Sequence, residues 1–274
     1  MIQLIASDMD GTLLDADKKL PPQFPALLEE LYRRDITLAI ASGRSRTALL
    51  SLFGDLAEEL IFICDNGACV MQPHDAPIFH NLPDQTIRDV LDLCDTMPDT
   101  IPVLCGFHHI YFPENADQAV ENEIRRFYLD YHKVPYSALY QTKEPILKIA
   151  LCNMHGTAAY TAPMIQERFG SQYEIPVSGD YWMDLMCKGI TKGAAVQDLQ
   201  KQLGITPAET MTFGDYENDI SMMECAEYSY AMANAPEHVQ KHAKHIAPAN
   251  TENGVVRTIC EVLGIHMDSL RKSV

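Results

Sequence analysis

Two short acidic segments, far apart in the 274-residue chain, hold the residues best suited to chemistry. They are Asp8 and Asp10 in I-A-S-D-M-D-G-T-L-L, and Asp215 and Asp219 in M-T-F-G-D-Y-E-N-D-I. Each segment follows an apolar run of strand character and contains a glycine able to turn the backbone sharply. Two strand ends can therefore present carboxylates side by side. In a parallel sheet with crossover helices, ligands bind at the carboxyl ends of the strands, where both segments would meet. Crowded carboxylates repel unless a cation holds them, and an all-oxygen set suits Mg2+, which also grips phosphate. The chemistry indicated is metal-assisted reaction of a phosphate.

Asp8 and Asp10 are separated by one residue and point to the same side of an extended strand end. One can serve as an ionised nucleophile while the other, its pKa raised by the neighbouring charge, donates a proton to a leaving oxygen. Taken alone, D-M-D-G also reads as an acidic turn closing a strand. Between the acidic segments, I-T-L-A-I-A-S-G-R-S-R ends in Ser42, Gly43 and Arg44 before a helical stretch. A serine hydroxyl and free N–H groups at a helix start form an anion site, although a plain Ser N-cap has the same sequence. Further on, Gly189-Ile190-Thr191-Lys192-Gly193 opens another helix, where Lys192 is either a solvated surface charge or the cation that neutralises a phosphate and holds Asp8 ionised.

Taken in order, D-M-D-G-T-L-L, A-S-G-R, I-T-K-G and G-D-Y-E-N-D resemble the motifs of the haloacid dehalogenase (HAD) superfamily. The similarity is greatest to its Cof-type phosphatases with a large α/β cap (subclass IIB). The resemblance implies an α/β fold with a Rossmann-like parallel-sheet core and an inserted α/β cap built on an open-faced antiparallel sheet. It implies that Asp8 is the nucleophile forming an aspartyl-phosphate, and that Asp10 is the acid for the leaving group and then the base for water. Ser42, the Gly43 backbone, Lys192 and Asn218 would bind the phosphoryl group. Mg2+ would be held by Asp8, the Asp10 backbone carbonyl, Asp215 and Asp219. Tyr216-Glu217 and Ala233 depart from the usual pattern without removing a reacting group. The expected reaction is hydrolysis of a small phosphomonoester: a sugar phosphate, a nucleotide or a phosphorylated cofactor. A phosphomutase of the same superfamily, or a non-catalytic phospholigand-binding protein, is the alternative.

The net charge of −17 disfavours a nucleic-acid or anionic-membrane partner, both of which need a basic surface. The first motif begins too near residue 1 for a removed signal peptide, and no apolar run reaches transmembrane length, so a cytoplasmic protein is expected. Eight cysteines without a C-x-x-C pattern read as buried free thiols in a reducing compartment. His238, His242 and His245 read as a solvated face near a helix end. The oligomeric state stays open, a homodimer included.

The elements that must position these residues follow from periodicity. Helices are expected over 21–34, 45–56 and 193–203, and buried strands over 2–6, 36–41 and 211–213. Residues 60–64 and 68–71 flank Asp65-Asn66-Gly67, a hairpin signal in which Asn66 is a turn residue, with a place facing the crevice as the alternative. Residues 82–187 lack the acidic motifs and alternate helix and strand, with helices over 84–97, 114–131 and 157–169 and strands over 101–104, 110–112, 147–152 and 182–186. That segment is long enough for its own domain, leaving 1–81 and 188–274 as the catalytic core. Trp182, Tyr181, Asp184, His108, His109 and Tyr111 are its polar or aromatic candidates near strand ends. A closing strand over 229–232 and helix over 253–263 complete the core.

Overall fold

Every residue of Leu4–Asp8 is buried, as a strand with neighbours on both sides must be. This strand anchors the computed structural model of the protein, which describes residues 1–97, 99–128, 130–177 and 179–270. The chain begins with β1 (Leu4–Asp8), α1 (Phe24–Arg33), β2 (Thr37–Ala41), α2 (Arg46–Phe53), β3 (Ile61–Cys64), β4 (Cys69–Met71) and β5 (Ile78–Phe79). It continues through α3 (Asp84–Asp95), β6 (Ile101–Gly106), β7 (Ile110–Pro113), α4 (Gln118–Arg125), β8 (Tyr131–Val134), α5 (Tyr136–Leu139) and β9 (Ile146–Cys152). Next come α6 (Thr157–Tyr160), α7 (Ala162–Phe169), β10 (Tyr173–Glu174) and β11 (Trp182–Cys187). The last elements are α8 (Lys192–Leu203), β12 (Thr210–Gly214), α9 (Ile220–Met223), β13 (Tyr228–Met232), α10 (Glu237–Gln240), β14 (His245–Ala247) and α11 (Gly254–Leu263).

Two compact units result. One comprises Met1–Ser42, Phe53–Ala76 and Thr191–Val274; the other comprises Gly43–Leu52 and Pro77–Ile190. Strands of the first unit lie in the order β14-β13-β12-β1-β2-β3-β4, all parallel except β4. The sequence order reverses beside β1, so the acidic segments leave adjacent strand ends at a topological switch point. Leu4, Ala6, Ala39, Ala41 and Ile63 on one sheet face pack against Ala195, Val196 and Leu199 of α8. The expected stripe on α1 is buried at Phe24, Leu27, Leu28 and Leu31. Phe24, Phe53 and Phe62 meet edge to face.

In the second unit the strand order is β10-β11-β9-β6-β7-β8. Two expectations are corrected here. The sheet is mixed rather than antiparallel, because β7 and β8 pair in parallel. Nor is it open-faced: Leu104, Ile149, Leu151, Met183 and Leu185 join one apolar cluster, while Val103, Cys105, Ala150, Cys152 and Trp182 join another. Alternation along the strands sends these sets to opposite faces.

Several helix limits also differ. The helix expected over 114–131 is only Gln118–Arg125, started by Asp117, whose carboxylate accepts from the Val120 N–H at 2.8 Å; Leu129 lies outside the described residues. The 157–169 helix is split at Thr161, just before Pro163, whose missing N–H cannot continue the first helix's ladder. The 45–56 helix stops at Phe53, where Gly54 takes a left-handed φ of 52°. His245 begins an edge strand, whereas His238 and His242 lie on the surface paired with Glu217 and Glu224.

Candidate active site

The chain leaves β1 at Asp8 and turns at Gly11, whose φ is 88°. A Cβ at Gly11 would stand 2.3 Å from Asp215 Oδ2, so glycine is needed both for the turn and for the approach of that carboxylate. The adjoining Thr12 hydroxyl donates to Asp215 Oδ1 at 2.9 Å. At Gly214 a Cβ would fall 2.4 Å from the Asp219 side chain. The tight turn lets Asp219 Oδ2 accept from the N–H groups of Asp215 and Tyr216 at 2.9 and 3.1 Å. One oxygen of Asp219 thus holds its own loop, and the other accepts from Lys192 Nζ at 2.7 Å.

Lys192 is delivered by the start of α8, where the Thr191 hydroxyl accepts from the Ala194 N–H at 3.0 Å. Its ammonium donates to Asp8 Oδ1 at 2.6 Å as well as to Asp219. Burial works against that charge, but Asp219 and Asp8 outweigh it and hold the Lys192 pKa above its usual value. Asp8 is raised well above the carboxylate range, first by desolvation and then by Asp219, with Lys192 opposing. Asp215 is raised to about 6, chiefly by burial and then by Asp219. Two neighbouring acids with raised pKa values are what a site built around an added cation looks like without it.

A divalent cation fits these residues. Asp8, Asp215 and Asp219 each offer a carboxylate oxygen within 4.8 Å of the others. Asp8 Oδ2 is buried and lacks a hydrogen-bond partner among the described residues, which is costly unless an ion or substrate takes the position. The donor set is all oxygen, as Mg2+ prefers.

Of the residues named from sequence, Asp8, Lys192, Asp215 and Asp219 are brought into direct association. Asn218 donates from Nδ2 to Asn66 Oδ1 at 2.9 Å, and the Asn66 N–H donates to the Ser42 carbonyl at 2.9 Å, which joins Ser42 to the same loop system. The Asp10 carboxylate pairs with Lys18 at 3.0 Å and lies outside the three-carboxylate cluster. Gly43 groups with the second unit, where its carbonyl accepts from Lys148 Nζ at 2.7 Å. Sequence reading missed Thr12, whose signal was its place in D-M-D-G-T. It also missed Asn234, whose Nδ2 donates to the Gly11 carbonyl at 2.9 Å and ties the segment after β13 to the first loop. In the second unit, Glu144 Oε1 accepts from the Tyr111 hydroxyl at 2.6 Å and lies 3.1 Å from His109 Nδ1, while Oε2 accepts from the His108 N–H at 2.6 Å. Those three candidates therefore share an acid that the sequence reading did not single out.

Comparison with known proteins agrees with this architecture. Residues 5–259 match the family described as haloacid dehalogenase-like hydrolase. The chain is 30% identical over 264 residues, 96% of either chain, to 5-amino-6-(5-phospho-D-ribitylamino)uracil phosphatase YbjI of Escherichia coli K12. Among solved structures it resembles SMU.1108c from Streptococcus mutans UA159, with a TM-score of 0.90 and 29% identity, covering 96% of this chain and 100% of that one. The subclass IIB sugar phosphatase BT4131 shares the fold, with a TM-score of 0.80 at 22% identity, covering 96% and 100% of the respective chains. The chain belongs to the haloacid dehalogenase-like hydrolases and is a HAD-type phosphatase.

Proposed function

We propose that the protein is a Mg2+-dependent phosphatase that hydrolyses a small phosphomonoester through an aspartyl-phosphate on Asp8. The observation that carries this reading is the buried Asp8 Oδ2, without a partner among the described residues, on a carboxylate whose other oxygen is fixed by Lys192. The free oxygen attacks phosphorus as the bond to the leaving oxygen breaks, and Asp10 gives that oxygen its proton. Asp10 then takes a proton from water, whose oxygen attacks the same phosphorus, freeing Asp8 and orthophosphate. Ser42, Lys192 and Asn218 hold the transferring group. Mg2+ bound by Asp8, the Asp10 carbonyl, Asp215 and Asp219 would neutralise phosphoryl oxygens and favour ionised Asp8. Residues 82–187 would form the domain that sets substrate choice, and no nucleic acid or membrane partner is expected. Among the described residues no helix is long and apolar enough to cross a membrane.

A phosphomonoester panel with Mg2+ or EDTA tests the reading, headed by the phosphorylated ribitylaminouracil that the Escherichia coli relative is named for and followed by sugar phosphates, nucleotides and phosphorylated cofactors. Turnover is expected with Mg2+ alone. Asp8→Asn should abolish it and the acid-stable phosphoenzyme, whereas Asp10→Asn should lower turnover by about 10²- to 10⁴-fold, the usual loss for a general acid or base. Undiminished hydrolysis in EDTA, or by Asp8→Asn, would overturn the assignment.

A further inference from the structure

The turn between β3 and β4 touches three of the segments assigned to the phosphate, although none of its residues belongs to the motif set. Its backbone is unusual: Asp65 and Asn66 both have positive φ, 48° and 56°, and Gly67 follows at 106°. Asparagine tolerates the left-handed region better than most residues, and Asn66 is buried to 2% exposure, so its amide needs partners inside the protein. The Asn66 N–H donates to the Ser42 carbonyl at 2.9 Å, while the Ser42 N–H donates to the Ile63 carbonyl at 2.8 Å. The Asn66 Oδ1 accepts from Asn218 Nδ2 at 2.9 Å. Gly67 completes the set, since a Cβ there would lie 2.5 Å from the Thr191 carbonyl, immediately before Lys192. All of these residues belong to the first unit.

We infer that Asn66 is a positioning residue for phosphate binding: its main chain fixes Ser42 and its side chain fixes the amide plane of Asn218. An amide NH2 has two N–H bonds. Giving one to Asn66 sets the direction of the other, which is then prepaid in orientation for a phosphoryl oxygen. Asn66 reaches the phosphate only through its partners. This inference rests on the proposed phosphatase reading, which places Ser42 and Asn218 at the phosphoryl group.

The experiment measures the dissociation constant of orthophosphate with Mg2+ present, together with kcat and KM for one phosphomonoester, in wild type, Asn66→Gly, Asn218→Ala and the double variant. Glycine keeps the left-handed backbone and the N–H to Ser42, so only the side-chain link is removed. Asn66→Gly should weaken orthophosphate about 2- to 10-fold, the range for one hydrogen bond, and raise KM by a similar factor. Adding Asn218→Ala to Asn66→Gly should cost less than the same change costs in wild type, because the orienting link is already gone and only the loosened phosphate contact of Asn218 is left to lose. Asn66→Asp keeps an acceptor oxygen and tolerance of the left-handed backbone. In that background Asn218→Ala should show its full wild-type effect, against the reduced effect beside Asn66→Gly, a contrast between the two backgrounds that a merely structural role would not produce. Unchanged orthophosphate affinity in Asn66→Gly, or effects that multiply in the double variant, would overturn the inference. Should wild type neither bind orthophosphate nor hydrolyse any phosphomonoester, the phosphatase reading itself fails; should it do both while the variants behave independently, only the role of Asn66 fails.

Discussion

Among the described residues two lysines are almost wholly buried, one in each unit, and they are held in different ways. Lys192, 1% exposed, stands between two carboxylates at 2.6 and 2.7 Å at the first turn of α8. Lys148, 2% exposed, sits in the middle of β9, with Asp184 at 3.5 Å and the Gly43 carbonyl at 2.7 Å. A buried ammonium needs compensation: Lys192 has a pair of acids that a cation would also use, and the partners of Lys148 include a more distant acid and a peptide dipole. The first arrangement would change its charge balance on binding the proposed metal and phosphate. The second has the character of a structural tie on the segment that follows Ser42.

Exchanging each lysine for methionine should break the symmetry most clearly. Lys192→Met leaves Asp8 and Asp219 facing each other without a counter-charge. Turnover should fall about 10²-fold or more, as when a preorganised electrostatic group is lost, and stability should fall by about 3–5 kcal/mol. Lys148→Met should destabilise the protein by a smaller amount while an unstrained aryl phosphate is still hydrolysed at near wild-type kcat. Urea denaturation and aryl phosphate kinetics on the same variants decide the matter. Equal losses of kcat for the two lysine variants would show that Lys148 also serves the chemistry.

The two lysines also mark where the sequence was informative. Lys192 could be read because its neighbours Thr191 and Gly193 and its order among the motifs were informative. Lys148 had no motif, yet one signal was present: a charge inside I-L-K-I-A-L-C, a strand buried at all seven positions. Lysine is seldom fully buried unless paired, so such a run implies an acid on an adjoining strand. Asp184 is that acid, opposite Ala150 and therefore diagonal to Lys148 on the same face. Its identity depended on strand register, which periodicity does not provide. The same limit explains Asn66: Asn-Gly announced the turn, but its hydrogen bonds to residues 42 and 218 arise from the crossing of distant segments. The parallel core was legible because its strands are apolar runs bounded by turn signals. The parallel β7–β8 pair was not, since the helix expected over 114–131 ran into Tyr131 and no strand was expected over Tyr131–Val134.

A titration sharpens the electrostatic side of the comparison. Asp215 has its pKa raised to about 6 in the folded chain, above the ordinary value of 3.8 that the unfolded chain would show. Its contribution to stability is therefore present below the unfolded pKa and lost as pH rises through about 6, because the folded state binds the proton more tightly. In EDTA, Asp215→Asn should gain in Tm over wild type as pH rises from about 4.5 to 7.5. Mg2+ should then stabilise wild type more at the upper pH, where it replaces the proton, and the variant much less. A gap in Tm that does not vary with pH would mean that Asp215 is already ionised without metal.

The smallest effect expected is that of Thr12, which acts on the acids around Lys192 without carrying charge. Its hydroxyl donates to Asp215 Oδ1 at 2.9 Å and lowers the pKa of that acid against burial and Asp219. Thr12→Val keeps the branched shape and removes the donor, so the Asp215 carboxyl should hold its proton to still higher pH. Proton and Mg2+ compete for the same oxygens, and the variant's apparent Mg2+ affinity should be about 2- to 10-fold weaker near pH 6, in line with the loss of one hydrogen bond. As pH rises to about 8 the proton leaves in either protein, and the ratio of the two affinities should shrink toward one. Isothermal titration at several pH values gives that ratio directly. A ratio independent of pH would assign Thr12 to packing beside Gly11 and remove it from the electrostatic set.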